Sequence, residues 1–211
     1  MGVLLMLMTI GGLVVAAILF GVAWLHESAW LKKFVVGGVA IWFAFYLAML
    51  IGTSLLSTER TIAVGDTDGK AFCGFYLDCH LHTAVLNVTR AKTIGNKNAS
   101  GEFYVVTVKI FSDARAATLG LLTVDAHVVD AGGKIYSRDI DSEGELSPQP
   151  DFEEKIGPGE SFEKQIVFDL PANVTDPRLD MREGYGVDHV IEYFLIGDED
   201  SMFHARNYFA L

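Results

Sequence analysis

The sequence predicts a two-helix transmembrane hairpin followed by an all-β, antiparallel sandwich. Three observations lead there. Two apolar stretches, Met1 to Leu25 and Phe34 to Thr58, contain no Asp, Glu, Lys or Arg. Charge is segregated: of the 16 basic and 27 acidic residues, only Lys32, Lys33 and Glu27 precede Ser57, so the remainder is strongly acidic. Beyond Glu59 the apolar residues fall in short alternating runs broken by Gly, Pro, Asn and Asp, the pattern of strands and turns.

A bilayer core about 30 Å thick needs roughly 20 apolar residues in a helix, and both stretches exceed that. The expected organisation is a hairpin over 1–58, with helices at about 3–25 and 34–57, then a membrane-proximal linker over 59–79 and a sandwich over 80–211. A cleaved signal peptide fits the first stretch poorly. It lacks a basic leader, and a second apolar stretch follows at once. Lys32 and Lys33 in the short connection, flanked by Trp24 and Trp30, place that connection in the cytoplasm by the positive-inside rule. Both termini and the acidic domain then lie on the outer side of the cytoplasmic membrane. Ala40, Ala44, Ala48 and Gly52 recur every four residues in the second helix, and Gly12 and Ala16 offer a matching pair in the first. Small residues at this spacing let helix backbones approach in lipid. They are expected to pack the hairpin against itself; the sharper alternative is contact with a partner membrane protein or a second copy. Neither stretch holds an ionisable residue of the kind that marks ion or proton paths, so the hairpin reads as an anchor.

In the acidic part, Tyr104, Val106, Val108 and Ile110 alternate with Thr107 and Lys109, and Leu122, Val124, Ala126 and Val128 repeat the pattern. Asp130 to Lys134 is a turn, with a return strand at Ile135 and Tyr136, and Gly157 to Glu160 is another. Phe162, Ile166, Phe168 and Leu170 then share a face with Lys164, whose charge suggests an edge or rim. Further strands are expected at Leu81 to Thr89, at Leu179 and Met181, at Val190 to Ile196 and at Asn207 to Leu211. Seven or eight short strands indicate a sandwich. The Asp139 to Glu154 stretch, rich in acids, reads as a solvated loop. It only faintly echoes a calcium loop, because Pro150 stands where such a loop needs Glu.

The run Tyr104-Val-Val-Thr-Val-Lys-Ile, the hairpin Val129-Asp130-Ala-Gly-Gly-Lys-Ile-Tyr and the pair Ile156-Gly-Pro-Gly-Glu-Ser-Phe and Val167-Phe-Asp-Leu-Pro171 resemble a bacterial family of exported, membrane-anchored immunoglobulin-like domains of unknown function. The resemblance covers about residues 80–211. It implies an immunoglobulin-like fold and brings no catalytic residues. The two-helix anchor and the cysteine-bearing segment stand outside its usual pattern.

Phe72 to His82 holds both cysteines, Cys73 and Cys79, with His80 and His82. In an oxidising compartment an isolated pair suggests a disulfide. The alternative is a copper or zinc site, since imidazole and thiolate suit both metals. His80 and His82 would share a strand face, and Met202 and His204 form a second spaced pair that joins them if the strands neighbour. A two-helix anchor with an exported sandwich also resembles the copper-carrying subunit of haem–copper oxidases, but the order and spacing of ligands here differ from that family's motif.

Asn87-Val-Thr89, Asn98-Ala-Ser100 and Asn173-Val-Thr175 are sequons that matter only in a glycosylating host. His127 and His189 carry no pattern. No hydrolase, nucleotide-binding or zinc-protease motif is present, and no cofactor is called for. The net charge of −11 opposes nucleic-acid binding, which favours basic surfaces. The expected partners are the lipid bilayer and another membrane protein or a second copy. The expected role is an exported interaction or accessory module in a membrane complex, with periplasmic metal or redox handling as the alternative.

Overall fold

The computed structural model describes residues 2–72 and 80–211. The chain divides into two compact units. One comprises 1–58 with 190–205; the other comprises 59–189 with 206–211.

The first unit is built on α1 (Gly2–Leu25) and α2 (Ala29–Leu56). The connection is tighter than the charge pattern implied. Glu27 takes a left-handed φ of 52°, and Ser28 caps α2 by accepting from Leu31 N–H at 3.4 Å. Lys32 Nζ lies over the Trp24 ring, 4.7 Å from its centroid. Trp42 donates its indole N–H to Thr9 Oγ1 at 3.0 Å, which satisfies two polar groups across the helix pair. Most large apolar side chains of both helices are exposed.

The second unit is a sandwich of two sheets. Its strands are β1 (Arg60–Ile62), β2 (Lys70–Phe72), β3 (Leu81–Ile94), β4 (Lys97–Ser112), β5 (Val124–Val129), β6 (Ile135–Ser137), β7 (Ser161–Leu170), β8 (Arg178–Glu183) and β9 (Asn207–Ala210). One sheet runs β1-β9-β8-β5-β6 and the other β2-β3-β4-β7. All pairs are antiparallel except β1 with β9. Alternate residues of each strand point between the sheets, where Ile166, Phe168, Leu170, Leu179, Met181 and Phe209 are fully buried. Lys70 reaches across this layer to donate to Met181 O at 2.9 Å. Residues 59–79 were expected to be a linker. Instead this stretch supplies β1 and β2, one to each sheet.

The Asp130 turn closes as expected. Asp130 Oδ1 accepts from Gly132 N–H at 2.8 Å and Lys134 N–H at 3.0 Å, and Gly133 supplies the positive φ. The backbone N–H of Lys134, above all, holds the Asp130 carboxyl below its usual pKa.

Two further expectations fail. Val190 to Ile196 is no strand. A short helix, α4 (Gly186–Glu192), runs into it, and turns follow. Asp188 Oδ2 accepts from Tyr185 N–H at 2.8 Å, so a carboxylate in the first turn caps the helix start. The Asp139 to Glu154 stretch is more than a solvated loop, because it covers the free edge of β7. Asp139 caps α3 (Ile140–Glu143) and donates its own N–H to Val167 O at 2.7 Å. Glu143 Oε1 accepts from Val167 N–H at 3.1 Å, and Gln149 exchanges hydrogen bonds with both backbone groups of Gln165 at 2.7 and 2.8 Å. Lys164, read as an edge residue, is indeed on the edge strand; the loop buries it, and its ammonium donates to Pro150 O at 2.6 Å.

Candidate functional site

Three places gather ionisable or uncovered side chains. The first is the corner where β3 begins. Cys73 and Cys79 lie outside the described residues. The β3–β4 ladder ends with Asp113 N–H donating to His80 O at 3.1 Å, and this brings Asp113 against both histidines. His80 Nδ1 is 2.6 Å from Asp113 Oδ1, and His82 Nε2 is 3.3 Å from Asp113 Oδ2. His82 also stacks on Phe111, its partner across the ladder, at 5.0 Å and 16°. The His80 hydrogen bond, chiefly, pulls the Asp113 carboxyl below its usual pKa. His80 thus hydrogen-bonds one oxygen of the carboxylate, while His82 Nε2 approaches the other without forming a hydrogen bond. Asp113 was not foreseen as part of this site. Met202 and His204 do not sit on a strand beside β3, whose neighbours are β2 and β4. They lie in a turn within the 190–205 stretch of the helical unit.

The second place is the outer face of the five-stranded sheet. Leu179 and Met181 of β8 point into the core, so Asp180 between them points out, yet its side chain is only 1% exposed. Its Oδ2 accepts from Arg182 Nε and Nη2 at 3.1 and 2.9 Å and from Arg206 Nη1 at 3.0 Å. His127, its cross-strand partner on β5, comes within 3.5 Å through Nε2, with Asp125 on its other nitrogen at 3.4 Å. Asp180 Oδ1 accepts no hydrogen bond among the described residues. Arg178 pairs with Glu59 and lies over the Tyr208 ring at 4.6 Å. This arrangement ties β5, β8 and the approach to β9 together by charge. It is a buried structural centre, and neither His127 nor Asp180 was singled out from the sequence. The alternation Asp125-Ala-His127 opposite Asp180-Met-Arg182 carried the signal.

The third place is the surface of the hairpin. The helices meet along Thr9, Leu13 and Ala16 of α1 and Val35, Val39 and Trp42 of α2, which line an apolar groove of about 400 Å³. Gly12 borders that groove, and a methyl at Gly12 or Gly52 would meet no atom within 4 Å. At 100° per residue, Ala44 and Ala48 lie on the far side of α2 from this seam. Ala40, Ala44 and Ala48 are all exposed. Ala44 and Ala48 therefore do not pack the hairpin against itself, whereas Ala40 borders a second groove shared with Ala16, Ala17 and Phe20 of α1.

These features define a β-sandwich domain carried behind two long apolar helices. The chain belongs to the family described as Domain of unknown function (DUF4352), whose model matches residues 78–190. Two solved structures are similar in fold. One is an uncharacterized β-sandwich protein from Clostridium difficile 630, at 14% identity, TM-score 0.38, covering 74% of this chain and 95% of that one. The other is the secreted protein MPT63 from Mycobacterium tuberculosis, at 16% identity, TM-score 0.34, covering 49% of this chain and 82% of that one. No curated protein matches the chain.

Proposed function

We propose that this protein is a membrane-anchored accessory module: the hairpin spans the cytoplasmic membrane, the sandwich is displayed on its outer side, and the hairpin joins a membrane protein complex. The observation that carries the reading is the exposure of the hairpin's apolar side chains along both helices. A contiguous apolar surface of that extent is untenable in water and ordinary in lipid. The uncovered Ala44 and Ala48 face supports a protein contact in the membrane, since small residues favour close helix approach there. In this reading Cys73 and Cys79 meet an oxidising compartment and form a disulfide. The test is alkaline extraction of membranes followed by mild solubilisation. The protein should resist extraction and migrate with a larger complex, and paired Ala44→Leu and Ala48→Leu changes should release it as a monomer. Alkaline extraction into the soluble fraction defeats the anchor, and a wild-type monomer defeats the complex.

A second reading is favoured by one observation, the convergence of His80 and His82 on Asp113 beside the cysteine segment. There the segment binds copper or zinc in the exported domain. Elemental analysis of the purified protein, with thiol titration before and after reduction, decides between bound metal and a simple disulfide.

A further inference from the structure

We infer that Val190–Ala205 is a third membrane-contacting element, lying in the boundary between acyl chains and headgroups beside the helix ends that carry Gly2 and Leu56. The inference rests on the anchor reading above and adds to it a segment that is neither long nor continuously apolar.

Its position comes from four attachments within the helical unit. Tyr46 donates its hydroxyl to Phe194 O at 2.7 Å, the hydroxyls of Ser54 and Ser201 meet at 3.2 Å, and Ser57 Oγ accepts from Ala205 N–H at 2.7 Å. The backbone of Ile196 lies against Gly2, so closely that a methyl there would strike the Ile196 carbonyl. Tyr46 is ten residues before the end of α2, about 15 Å along the axis at 1.5 Å per residue. Phe194 is therefore seated well below the helix end, alongside a stretch whose own Leu47 and Ile51 are exposed.

The most exposed side chains of this segment are apolar or aromatic, while Asp198, Glu199 and Asp200 are half-buried. Val190, Tyr193, Phe194 and Phe203 are 63%, 45%, 50% and 68% exposed, and they belong to the same compact unit as the exposed Leu47 and Ile51 of α2. Phe203 is held at a φ of 64°, a left-handed conformation that a bulky residue adopts only when the surroundings impose it. Much of the backbone bonds within the segment. Phe194 N–H donates to Ile191 O at 3.0 Å, Leu195 N–H to Glu192 O at 2.8 Å and Met202 N–H to Tyr193 O at 3.0 Å, as irregular backbone at membrane depth requires. Aromatic rings are the side chains that favour this depth. A phospholipid surface is thus the occupant that fits, because the patch is flanked by lipid-facing helix on the hairpin side.

The test uses the full chain in phosphatidylcholine vesicles with brominated acyl chains. The three tryptophans, Trp24, Trp30 and Trp42, all lie in the hairpin region, so changing each to Phe gives a blank background. Single tryptophans are then introduced as Tyr193→Trp, Phe203→Trp, Ile41→Trp in the hairpin and Ile135→Trp in the sandwich. The expected result is quenching of about twofold or more at 193, 203 and 41, with none at 135. Quenching at 41 but not at 193 or 203 overturns the inference and leaves the anchor standing. No quenching at 41 removes the anchor, and the inference with it.

Discussion

Replacing Asp180 with Ala tests whether the outer-face charge centre holds the sandwich together or decorates it. The carboxylate accepts two hydrogen bonds from Arg182 and one from Arg206, and His127 lies 3.5 Å away. Removing one partner of a buried charged network costs about 3–5 kcal/mol, because the remaining charges lose a buried counter-charge. Two of those charges are partly wet here: Arg182 and Arg206 side chains are 21% and 28% exposed. Water therefore offsets part of the loss, and the expected cost falls to about 2–3 kcal/mol. Asp180→Asn keeps the volume and one acceptor and should cost about half as much. The assay is urea denaturation of the full chain in detergent, followed by the far-ultraviolet β signal. A surface pair contributes only about 0–1 kcal/mol. A measured loss below about 1 kcal/mol for Asp180→Ala would refute the claim that this carboxylate is energetically buried.

Three further outcomes are expected. Burial, reinforced by Glu192, Asp200 and Glu199 and opposed by a backbone hydrogen bond from Asp200, raises the Asp198 carboxyl from 3.8 to about 7. The packed segment then binds the proton more tightly than the released one, so packing weakens as pH climbs from about 4 to 7 and changes little above; the protection factors of the Leu195 and Met202 amides, with the intrinsic base-catalysed rise in exchange divided out, should fall by about tenfold or more over that range, and Asp198→Asn should abolish that fall. Glu143→Ala with Gln149→Ala uncovers the β7 edge and should cost about 2 kcal/mol and increase aggregation measured by light scattering. Gly69→Ala, at a φ of 59° and against the Thr83 carbonyl, should destabilise by about 2 kcal/mol or more, whereas Gly133→Ala, at a φ of 77° in open space, should cost about 1 kcal/mol in the same denaturation assay.

The hairpin and most of the sandwich were legible because their signals are local: charge-free length for the helices, and alternation over six or more residues for β3, β4, β5 and β7. The three-residue strands β1 and β2 gave no such signal. They exist because β9 and β3 offer edges to pair with. Val190 to Ile196 fits both periods, and the capping Asp188, overlooked, pointed to helix. His80 and His82 were found as a spaced pair, but Asp113 is 33 residues from His80 and is reached only through the β3–β4 register. Asp180 and His127 were missed for the same reason. A charge on an outward strand face looks solvated until its cross-strand partner is known. Gly12, Ala16 and Ala40 border the grooves between the helices but Ala44 and Ala48 face away from α1, a difference that spacing alone does not reveal because it does not say which side of α2 turns toward α1.

The sandwich offers little to a partner that binds by adding a strand, a mode that needs a long open sheet edge. The four edge strands among the described residues are β1, β6, β2 and β7. Two of them, β1 and β6, are three residues long, too short to template a stable pairing, and β2 is described over Lys70–Phe72. The fourth, β7, has its outward backbone groups at Gln165 and Val167 taken by Asp139, Glu143 and Gln149. A domain whose edges are blunted in this way meets partners through side chains, loops or its carrier. That shifts the weight of the proposed complex onto the hairpin, where Ala44 and Ala48 leave a helix face open, and it predicts that leucine at Ala44 and Ala48 disrupts association while the double change at Glu143 and Gln149 does not.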